Sequence, residues 1–567
     1  MRVFLFDFFR SFLPLHNPIG FGASDFLLLA LAFLFVVWAI VWPRIEPQAA
    51  RVAKRTAWCM LLLAALPVVL RLALLPHHPV PVPDVYDEFS HLLAADTLRH
   101  LRLANPPHML SQFFETQFVL QQPSYSSIYP IGQGLVLAIG WTLLGHPWAG
   151  VLLATAAFCS LCYWMLRAWT SPGWALAGGV LAVIEFGPLC YWMNSYWGGA
   201  AAAASGCLVF GALPRLFAPA ALARPRDAAL LGLGFALHLL IRPYESLFLA
   251  AAIILFLLPF LRKLGLLRPY TRLLPAAMAP VLVAAGVMLL QNKQVTGSWT
   301  TLPYTLSQYQ YGVPAAFTFQ ASPTPHRELN REQGLNYKMQ SGFRSGPETL
   351  KTYLERLEYR VRFYRFFFLA PLYLALPAFF WACREYRFAW IAITLALFAL
   401  GANFFPNFEP HYLAGAACLF VLVSVTGLKS LSRLSRSAAA FLVFLCFAQF
   451  LFWYSLHLAD LRNFSLALRP YETWSGLNHR NPAARIEVDR QLDAIPGKLL
   501  VFVRYYPQHM FQQEWVYNGA DIDGSRVVWA RDLGAAENEK LRAYYSGRSV
   551  WLLEPDFRPP RLSVYAP

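Results

Sequence analysis

Residues 82–96 read VPDVYDEFSHLLAAD and follow a hydrophobic stretch that is long enough to cross a membrane. Three carboxylates, Asp84, Asp87 and Glu88, fall within five positions, and His91 comes next. Neighbouring negative charges repel each other and do not help a helix to enter a bilayer, so this acidic group needs another explanation. The stretch predicts a catalytic carboxylate loop at the membrane surface, for which the rest of the chain forms a scaffold.

The composition is that of an integral membrane protein. Of the 567 residues, 57% are hydrophobic and 14% are charged, against about 25% charged residues in ordinary soluble domains. The net charge of +16 does not indicate nucleic-acid binding, because the lysines and arginines sit mainly in short loops between apolar stretches, where they set membrane orientation. The eight cysteines all fall in apolar stretches and are expected to pack in the core, without disulfides or a metal cluster.

About twelve apolar stretches approach the ~20 residues that a membrane-spanning helix needs. They predict an all-α polytopic membrane bundle in residues 1–458. The composition becomes that of a soluble protein after residue 458, so residues 459–567 are expected to form a small α/β domain. The predicted spans are 25–43, 57–76, 148–167, 173–193, 197–215, 228–241, 244–261, 273–291, 366–383, 388–405, 411–428 and 437–457.

Basic residues between the spans give the bundle an orientation, because loops rich in lysine and arginine stay on the cytoplasmic side. The alternation is consistent if residues 131–145 form a short helix at the outer surface instead of a full span. The outer loops 77–147 and 292–365 and the C-terminal domain then face outside, which predicts a bacterial inner (plasma) membrane protein. The basic clusters are Arg51, Lys54 and Arg55; Arg215, Arg224 and Arg226; Arg262, Lys263, Arg268 and Arg272; Arg384 and Arg387; and Lys429, Arg433 and Arg436.

Three other segments have a readable secondary-structure pattern. The first 20 residues predict an interfacial helix. Leu350, Leu354 and Leu357 fall on one helical face with basic residues around them, which predicts an amphipathic helix on the membrane surface that either caps the bundle or gates a substrate. The C-terminal domain is expected to have strands at 499–506, 526–531 and 549–555 and a helix at 537–547.

The acidic pair Asp87 and Glu88 is the strongest candidate for chemistry. One carboxylate can accept a proton from an acceptor nucleophile, a step that typically contributes ~10²–10⁴-fold, while the other orients it. The structural alternative is an acidic helix N-terminus, with Asp84 as the cap and the pair in the first turn. That alternative does not explain why the loop turns polar again at HMLSQFFETQFVLQQPSYSSIYP (108–130), so a catalytic role is favoured.

Arg242 and His238 lie four residues apart at the predicted outer end of a span, in HLLIRPYES. Pro243 breaks the helix there and frees polar backbone groups. Arg242 could hold a lipid phosphate through paired hydrogen bonds. Snorkelling to the interface, or a pair with Glu245, is the alternative, and snorkelling is the expectation for Arg71 near the outer end of the second span.

The aromatic turn YWMNSYWGG (191–199) supplies weaker candidates. An aromatic belt at the membrane interface explains most of it. Asn194 and Tyr196 are the side chains in this turn that could also contact a sugar. Glu185, inside the preceding span, is either functional or packed on an internal arginine.

The segment NFFPNFEPHYLAG (403–415) carries Glu409, His411 and Tyr412 at the outer start of a span. His411 could bind a lipid headgroup, or it could simply lie at the membrane interface. The segment is therefore a candidate part of a substrate pocket.

YDEFSHLLAAD (86–96), SSIYPIGQG (126–134), the aromatic turn and the late His-Tyr pair together resemble the GT-C glycosyltransferases, above all the protein O-mannosyltransferase and aminoarabinose transferase branch. The resemblance covers most of residues 57–430. It implies a GT-C fold, a polyprenyl-phosphate sugar donor and a catalytic acid in the first outer loop, here Asp87 assisted by Glu88.

Tyr129 and His91 lie in these motifs and are expected to contact the substrate. This chain has YPIG at 129–132 where family members often carry YPPL or YPPG, and its tail is not a β-trefoil. The sugar and the acceptor therefore do not follow from the resemblance.

The sequence as a whole predicts an inverting hexosyl or pentosyl transferase. Asp87 would deprotonate the acceptor hydroxyl, and Arg242 would stabilise the leaving phosphate. The chemistry requires no cofactor, with a carboxylate-bound divalent cation as an open alternative. The expected partners are the polyprenyl-phosphate sugar, membrane lipids and a protein, lipid or glycan acceptor.

A transporter or lipid flippase is the competing class. It would need charged residues near the bilayer midplane on broken helices, whereas the charges here gather at the predicted outer face. A catalytically inactive scaffold whose tail binds a partner is the third possibility.

Overall fold

The computed structural model describes residues 23–216, 224–261, 271–343, 347–460, 472 and 482–566. The interfacial helix predicted for residues 1–20 lies outside them. The α-helices are α1 (Ala23–Val52), α2 (Thr56–Ala73), α3 (Tyr86–Arg99), α4 (Ile131–Leu144), α5 (Pro147–Leu166), α6 (Pro172–Phe186), α7 (Ala200–Leu216), α8 (Pro225–Ile241), α9 (Glu245–Leu261), α10 (Leu274–Thr296), α11 (Pro303–Tyr311), α12 (Arg331–Gly342), α13 (Leu350–Val361), α14 (Phe379–Ala382), α15 (Tyr386–Ala402), α16 (Ala417–Ser432), α17 (Arg436–Leu458), α18 (Ala483–Asp493) and α19 (Ala535–Tyr544). The strands are β1 (Val119–Leu120), β2 (Ser126–Ser127), β3 (Leu499–Val503), β4 (Val527–Arg531), β5 (Ser549–Glu554) and β6 (Arg561–Val564).

The membrane part is a helical bundle. Six helices within the described residues are long and apolar enough to cross a membrane, and five shorter apolar helices pack with them. The chain is thus an integral membrane protein with a largely helical fold. The six are Leu29–Val52, Thr56–Ala73, Pro147–Leu166, Leu274–Thr296, Pro410–Ser432 and Arg436–Leu458.

One predicted span is wrong. Residues 366–383 do not form a continuous helix; the backbone there runs through 3₁₀ helices at Ala370–Leu374 and Leu376–Ala378 before the single turn of α14. Pro371 and Pro377 lie at the start of these turns, and a proline inside a helix removes a hydrogen bond and clashes with the preceding turn. Apolar composition alone therefore overstated the length of regular helix.

The other predicted spans each contain a regular helix. The helix α4 has 14 residues, which rise about 21 Å and cannot cross a ~30 Å apolar layer, in agreement with the prediction that 131–145 is not a full span. The predicted span 173–193 ends early, because α6 stops at Phe186 and residues 187–199 form turns.

Arg71 holds that turn region to the end of α2. Its side chain is fully buried, and its guanidinium donates to Asn194 Oδ1 at 2.6 Å and to the carbonyl oxygens of His78 and Pro79, both at 3.0 Å. The snorkelling expected for Arg71 is therefore wrong: because acceptors lie within the protein, the side chain does not reach for the interface.

The two loops that the sequence predicts to lie outside, 77–147 and 292–365, contain short helices, and we call them the first and second outer loops. The first loop carries α3, a 3₁₀ turn at Ser111–Phe114 and the small antiparallel pair β1–β2. The second carries α11, α12 and the amphipathic helix α13, whose Leu350 is 75% exposed and Leu354 51% exposed. Exposed leucines on this face agree with a helix that lies against lipid.

The C-terminal sheet has the order β4-β3-β5-β6. The first three strands in this order are parallel and β6 is antiparallel to β5. The predicted strands and the helix between β4 and β5 are present; β6 was not predicted, because Arg561–Val564 has only four residues. Successive side chains of a strand point to opposite faces, and β3 is apolar on both.

The cysteines behave as predicted. All eight are free, and seven of them are buried in the core. They fill space between helices and carry no cross-link.

Candidate active site

The helix α3, which carries the acidic pair, begins directly after a proline-rich turn. Its N-cap residue, Val85, is extended, with φ −110° and ψ 151°. The Glu88 carboxylate turns back and accepts the backbone N–H groups of Asp84 at 2.9 Å and of Val85 at 3.3 Å. These are donors that a helix start leaves unpaired. Asp84 is therefore not the N-cap, although the alternative of an acidic helix N-terminus predicted that it would be. The Glu88 carboxylate accepts the backbone hydrogen bonds at this end of the helix.

Glu88 also ties α3 to the aromatic turn. Its second oxygen, Oε1, accepts the N–H of Tyr196 at 2.9 Å. Burial raises the pKa of Glu88 to about 7, while the three backbone N–H groups favour its charged form. Both oxygens are engaged by backbone, so Glu88 fixes the first turn of α3. Its assisting role in catalysis stays a prediction.

Asp87 has a different environment. It is half-buried, and the hydroxyl of Tyr129 donates a hydrogen bond to its Oδ1. Burial raises the pKa of Asp87 to about 6, and the Tyr129 hydrogen bond and the positive charge of Arg242 limit that rise. A carboxylate with a pKa close to the working pH is suited to general-base catalysis, because it is ionised and still has affinity for a proton.

Tyr129 is held in place from several sides. Its N–H donates to Ser127 Oγ at 3.1 Å, and Gln291 Nε2 donates to its carbonyl oxygen at 3.0 Å. The imidazole of His91, one turn beyond Asp87 on α3, stacks on the Tyr129 ring with centroids 4.4 Å apart. Burial and the nearby Arg242 charge lower the pKa of His91 to about 3, so this ring is neutral at physiological pH.

Arg242 lies where α8 ends, before Pro243. Its guanidinium carbon is 5.2 Å from the ring centroid of Tyr412, and its Nη1 is 4.0 Å from Glu245 Oε1. The side chain is 20% exposed. The pair with Glu245 is thus present at the outer limit of an ion pair, and the guanidinium keeps access to solvent and to a ligand.

His238 supports Arg242 from behind. Its Nδ1 lies 2.7 Å from Ser246 Oγ, and that hydroxyl donates to the carbonyl oxygen of Arg242 at 2.9 Å. On the other side the ring packs on Gly415, where a Cβ atom would lie 2.3 Å from Nε2. His238 is completely buried. The structure gives it an anchoring position, and direct substrate contact stays a prediction.

The segment 403–415 reaches the same site through Tyr412. His411 Nδ1 lies 3.1 Å from the hydroxyl of Tyr191, and its ring centroid is 5.6 Å from that of Trp197. Glu409 is partly exposed and within electrostatic range of Tyr191 and Tyr412. His411 and Glu409 therefore border the site, and Tyr412 contacts Arg242 inside it.

Asn194 and Tyr196 act as anchors. The Asn194 amide donates to the carbonyl oxygens of Pro188 at 2.9 Å and Cys190 at 2.8 Å, besides accepting from Arg71. The Tyr196 hydroxyl donates to the carbonyl oxygen of Pro81 at 2.8 Å. Because these polar atoms already have partners, their arrangement favours a structural role over the predicted contact with a sugar.

The structure brings in tyrosines that the sequence analysis did not select. Tyr304, on α11 of the second outer loop, is within electrostatic range of Asp87, Arg242 and Tyr412. Tyr86 precedes Asp87 and is in range of the same carboxylate. The signal for Tyr304 was its place in the tyrosine-rich stretch TLPYTLSQYQYG (301–312), which alone does not say what lies opposite.

Within the described ranges, no group of three or more His, Cys, Asp or Glu side chains is arranged to hold a metal ion. The site consists of one half-buried carboxylate, one guanidinium and several tyrosine hydroxyls.

No family model matches the chain, and a search of curated proteins finds no match. Among solved structures, the chain is similar to ArnT from Cupriavidus metallidurans in the apo state, with a TM-score of 0.49 and 13% identity over 88% of this chain and 93% of that one. For ArnT bound to undecaprenyl phosphate the TM-score is 0.45 and the identity 12%, over 87% of this chain and 92% of that one. For the oligosaccharyltransferase of Archaeoglobus fulgidus in the apo form the TM-score is 0.34 and the identity 13%, over 79% of this chain and 62% of that one.

All three TM-scores lie below 0.5 and the identities are 12–13%, so the resemblance to the GT-C glycosyltransferases stays a prediction from the sequence motifs.

Proposed function

We propose that this protein transfers a sugar from a polyprenyl-phosphate donor to an acceptor hydroxyl, with inversion at the anomeric carbon. The observation that carries the proposal is the pairing of Asp87 with Tyr129, within electrostatic range of the guanidinium of Arg242. The sequence motifs that resemble GT-C transferases lie on the same residues. A base and a fixed positive charge in one site are what this transfer needs.

Asp87 accepts the proton of the acceptor hydroxyl. The oxygen then attacks the anomeric carbon from the face opposite the phosphate, the bond between that carbon and the phosphate oxygen breaks, and the configuration inverts. The proton stays on Asp87 until water removes it. Because burial raises the pKa of Asp87 to about 6, the group is mostly ionised at neutral pH and ready to act.

Arg242 stabilises the leaving polyprenyl phosphate. A guanidinium presents two parallel N–H donors that match phosphate oxygens. Its contacts with Tyr412 and Glu245 hold the charge in place before the reaction, so that little reorganisation is needed as negative charge develops. Tyr304 and Tyr412 supply hydroxyls and ring faces for the sugar.

We place the site and the C-terminal domain, residues 459–567, outside the membrane, in keeping with the basic loops on the opposite side. Residues 1–458 form the transferase part. In a bacterium the protein lies in the inner membrane and acts on lipid-linked sugars at its outer leaflet.

The test compares wild-type protein with the Asp87→Asn variant, both expressed in the native host. Lipids that co-purify with each protein are identified by mass spectrometry. We expect the variant to retain an unreacted polyprenyl-phosphate sugar, which also names the donor. The matched control is Glu355→Gln, because that carboxylate is 62% exposed on α13.

With that donor in hand, transfer is measured in membranes. We expect Asp87→Asn to lose ~10²–10⁴-fold in rate and the control to match the wild type. Transfer by Asp87→Asn near the wild-type rate contradicts the base assignment. A stoichiometric solute other than a lipid-linked sugar would favour the transporter class instead.

A further inference from the structure

A segment of the C-terminal domain lies along the helix that carries Asp87. We call residues 515–520 the docking segment. The ring of Tyr517 stacks on the ring of Phe89 in α3, with centroids 4.4 Å apart and planes 5° from parallel. Farther along, the backbone N–H of Ala520 donates to Asp96 Oδ2 at 2.8 Å. The two contacts hold α3 at both of its ends.

The spacing of these contacts shows that they share one face of α3. Phe89 and Asp96 are seven residues apart, which is two helical turns and a rise of about 10 Å. Tyr517 and Ala520 are three positions apart, and three residues of extended chain span about the same distance. Gly519 permits the close approach, because a Cβ atom there would lie 2.8 Å from Asp96 Oδ2.

The docking segment also contacts the rest of the first outer loop. The Tyr517 hydroxyl donates to the carbonyl oxygen of Gln117 at 3.0 Å. The Tyr125 hydroxyl donates in the other direction, to the carbonyl oxygen of Asn518 at 2.9 Å. These hydrogen bonds fix the segment against the loop that leads to Tyr129.

Arg485 adds a third contact with α3, again at Phe89. Its guanidinium carbon lies 4.7 Å from the Phe89 ring centroid, and its Nη2 donates to the carbonyl oxygen of Glu514 at 2.8 Å. The side chain is buried. Burying the charged guanidinium of Arg485 costs desolvation free energy, which only well-defined contacts can offset. Its contact with Phe89 is therefore specific in its geometry.

Apolar packing joins the same two parts. Leu93 of α3 and Phe113 of the loop belong to one buried cluster with Leu500 and Phe502 of β3. The opposite face of β3 packs on Val488 of α18. One face of the C-terminal sheet therefore has the catalytic helix as its partner.

A buried ion cluster joins the domain to the second outer loop. Arg531, at the end of β4, donates to Glu332 of α12 and, at 3.2 Å, to Glu514. All three side chains are buried. The C-terminal domain is thus held on both outer loops, and α3 lies between it and the bundle.

We propose that the docking segment positions Asp87, with Tyr517 as the main positioning residue, so that the C-terminal domain is a working part of the active site. The inference rests on the proposed function, because Asp87 is the base there. The helix α3 has 14 residues, a length that is marginal for an isolated helix in water. Its order comes from packing, and Phe89 lies two residues after Asp87.

Displacement of α3 would change the rate of the reaction. A displacement of about 1 Å in a catalytic group can cost ~10²-fold in rate. Loss of the Tyr517 contact loosens the first turn of α3 without touching the donor phosphate at Arg242. It therefore lowers kcat and leaves the KM for the donor nearly unchanged.

The experiment uses full-length protein in detergent and three variants of the docking segment. Tyr517→Ala removes the ring, Tyr517→Phe keeps the ring and removes the hydroxyl, and Gly519→Val adds bulk against Asp96 without removing any contact atom. The matched control is Phe557→Ala, an aromatic residue of the same domain that is 41% exposed and packs on Tyr506.

The first readout is hydrogen exchange of peptides that cover residues 84–99. We expect exchange there to rise at least tenfold in Tyr517→Ala and Gly519→Val, with peptides from α17 and β3 unchanged. Tyr517→Phe and the control should match the wild type. Wild-type exchange at 84–99 in both disruptive variants overturns the docking role, whether or not the protein is a transferase.

The second readout is transfer from the lipid-linked donor. We expect kcat to fall ~10–100-fold in Tyr517→Ala, with an unchanged donor KM, and to return to within about threefold of the wild type in Tyr517→Phe. Equal kcat values in Tyr517→Ala and Phe557→Ala overturn the positioning role. A wild-type protein that transfers no sugar from its bound lipid contradicts the proposed function instead, and the exchange data separate the two failures.

Discussion

The Tyr129 hydroxyl donates a hydrogen bond to Asp87 Oδ1 although the two residues are 42 positions apart in the sequence. Asp87 comes from the first turn of α3, and Tyr129 lies just before α4. The contact joins the two motifs of the first outer loop at one carboxylate oxygen, and it limits the rise in pKa that burial gives that carboxylate.

Replacement of Tyr129 by Phe tests the effect of this hydrogen bond on the pKa of Asp87. The hydrogen bond favours the ionised form of Asp87, so its loss raises the pKa of Asp87 above about 6. A hydrogen bond to a charged group contributes about 1.5–3 kcal/mol, so we expect the acidic limb of the kcat/KM profile to move up by at least about one pH unit. An unmoved limb, with wild-type stability, would show that Tyr129 does not act on the base.

Asp87→Asn should stabilise the fold while it removes activity. Burial raises the pKa of Asp87 from 3.8 to about 6 in the folded protein, so the folded state binds the proton more tightly than the unfolded state. Stability therefore falls as the pH rises through that window, and the neutral amide removes this loss. We expect the Tm of the variant to exceed that of the wild type at pH 8 and the gap to close near pH 4. A lower Tm at pH 8 would contradict the burial argument.

Arg242→Ala should lower kcat by ~10²–10³-fold, because it removes the fixed charge that faces the leaving phosphate. Arg242→Lys should recover part of this loss, since it keeps the charge without the paired donors. The alanine variant should also shift the acidic limb to higher pH, because the Arg242 charge favours ionised Asp87. Steady-state kinetics across pH measure both effects; a kcat within twofold of the wild type in Arg242→Ala would exclude the phosphate role.

Glu88→Gln separates anchoring from catalysis. The amide has one acceptor oxygen, so it cannot serve both the start of α3 and the Tyr196 N–H. We expect a stability loss of about 1–2 kcal/mol near pH 5, similar to loss of a helix cap. This loss should shrink as the pH rises through about 7, because burial raises the pKa of Glu88 and penalises its ionised form in the wild type. The acidic limb of the kcat/KM profile should not move. Chemical unfolding measures the stability loss, and the pH profile of kcat/KM measures any catalytic effect. A large kcat loss at unchanged stability would instead support the assisting catalytic role.

Arg71→Leu tests the internal anchor. The change leaves the acceptor oxygens of His78, Pro79 and Asn194 without their buried donor. An unsatisfied buried group costs about 1–3 kcal/mol, so we expect a clear drop in Tm in detergent. Arg384→Leu, at an exposed position, is the control. Equal Tm values in the two variants would favour the snorkelling interpretation after all.

Local chemistry made part of the site predictable. A carboxylate pair next to a span and an arginine before Pro243 are costly in or near a membrane, so Asp87 and Arg242 stood out. The structure brings these two together with Tyr129 and Tyr412, which were also selected. Tyr304 was not selected, because its distance from Asp87 depends on how two separate loops fold over each other. No local sequence pattern predicts that arrangement.

Burial was the hardest property to predict. In sequence, Arg71 looks like any arginine at the end of a span; only the fold supplies its acceptors, among them Asn194 from another turn. Residues 366–383 have the composition of a span, and Pro371 and Pro377 break it into 3₁₀ turns. The C-terminal strands were predictable from their β-branched and aromatic runs, whereas the packing of β3 on Leu93 of α3 was not.

The contact of Asp96 with Ala520 joins residues that are 424 positions apart. At ~5–20 residues per second, a ribosome needs roughly 20–80 s between the synthesis of one and the other. Throughout that time α3 has no docking segment to pack against, and one face of its apolar cluster stays open. The order that α3 gains from this packing is therefore available only after residues 515–520 have been synthesised.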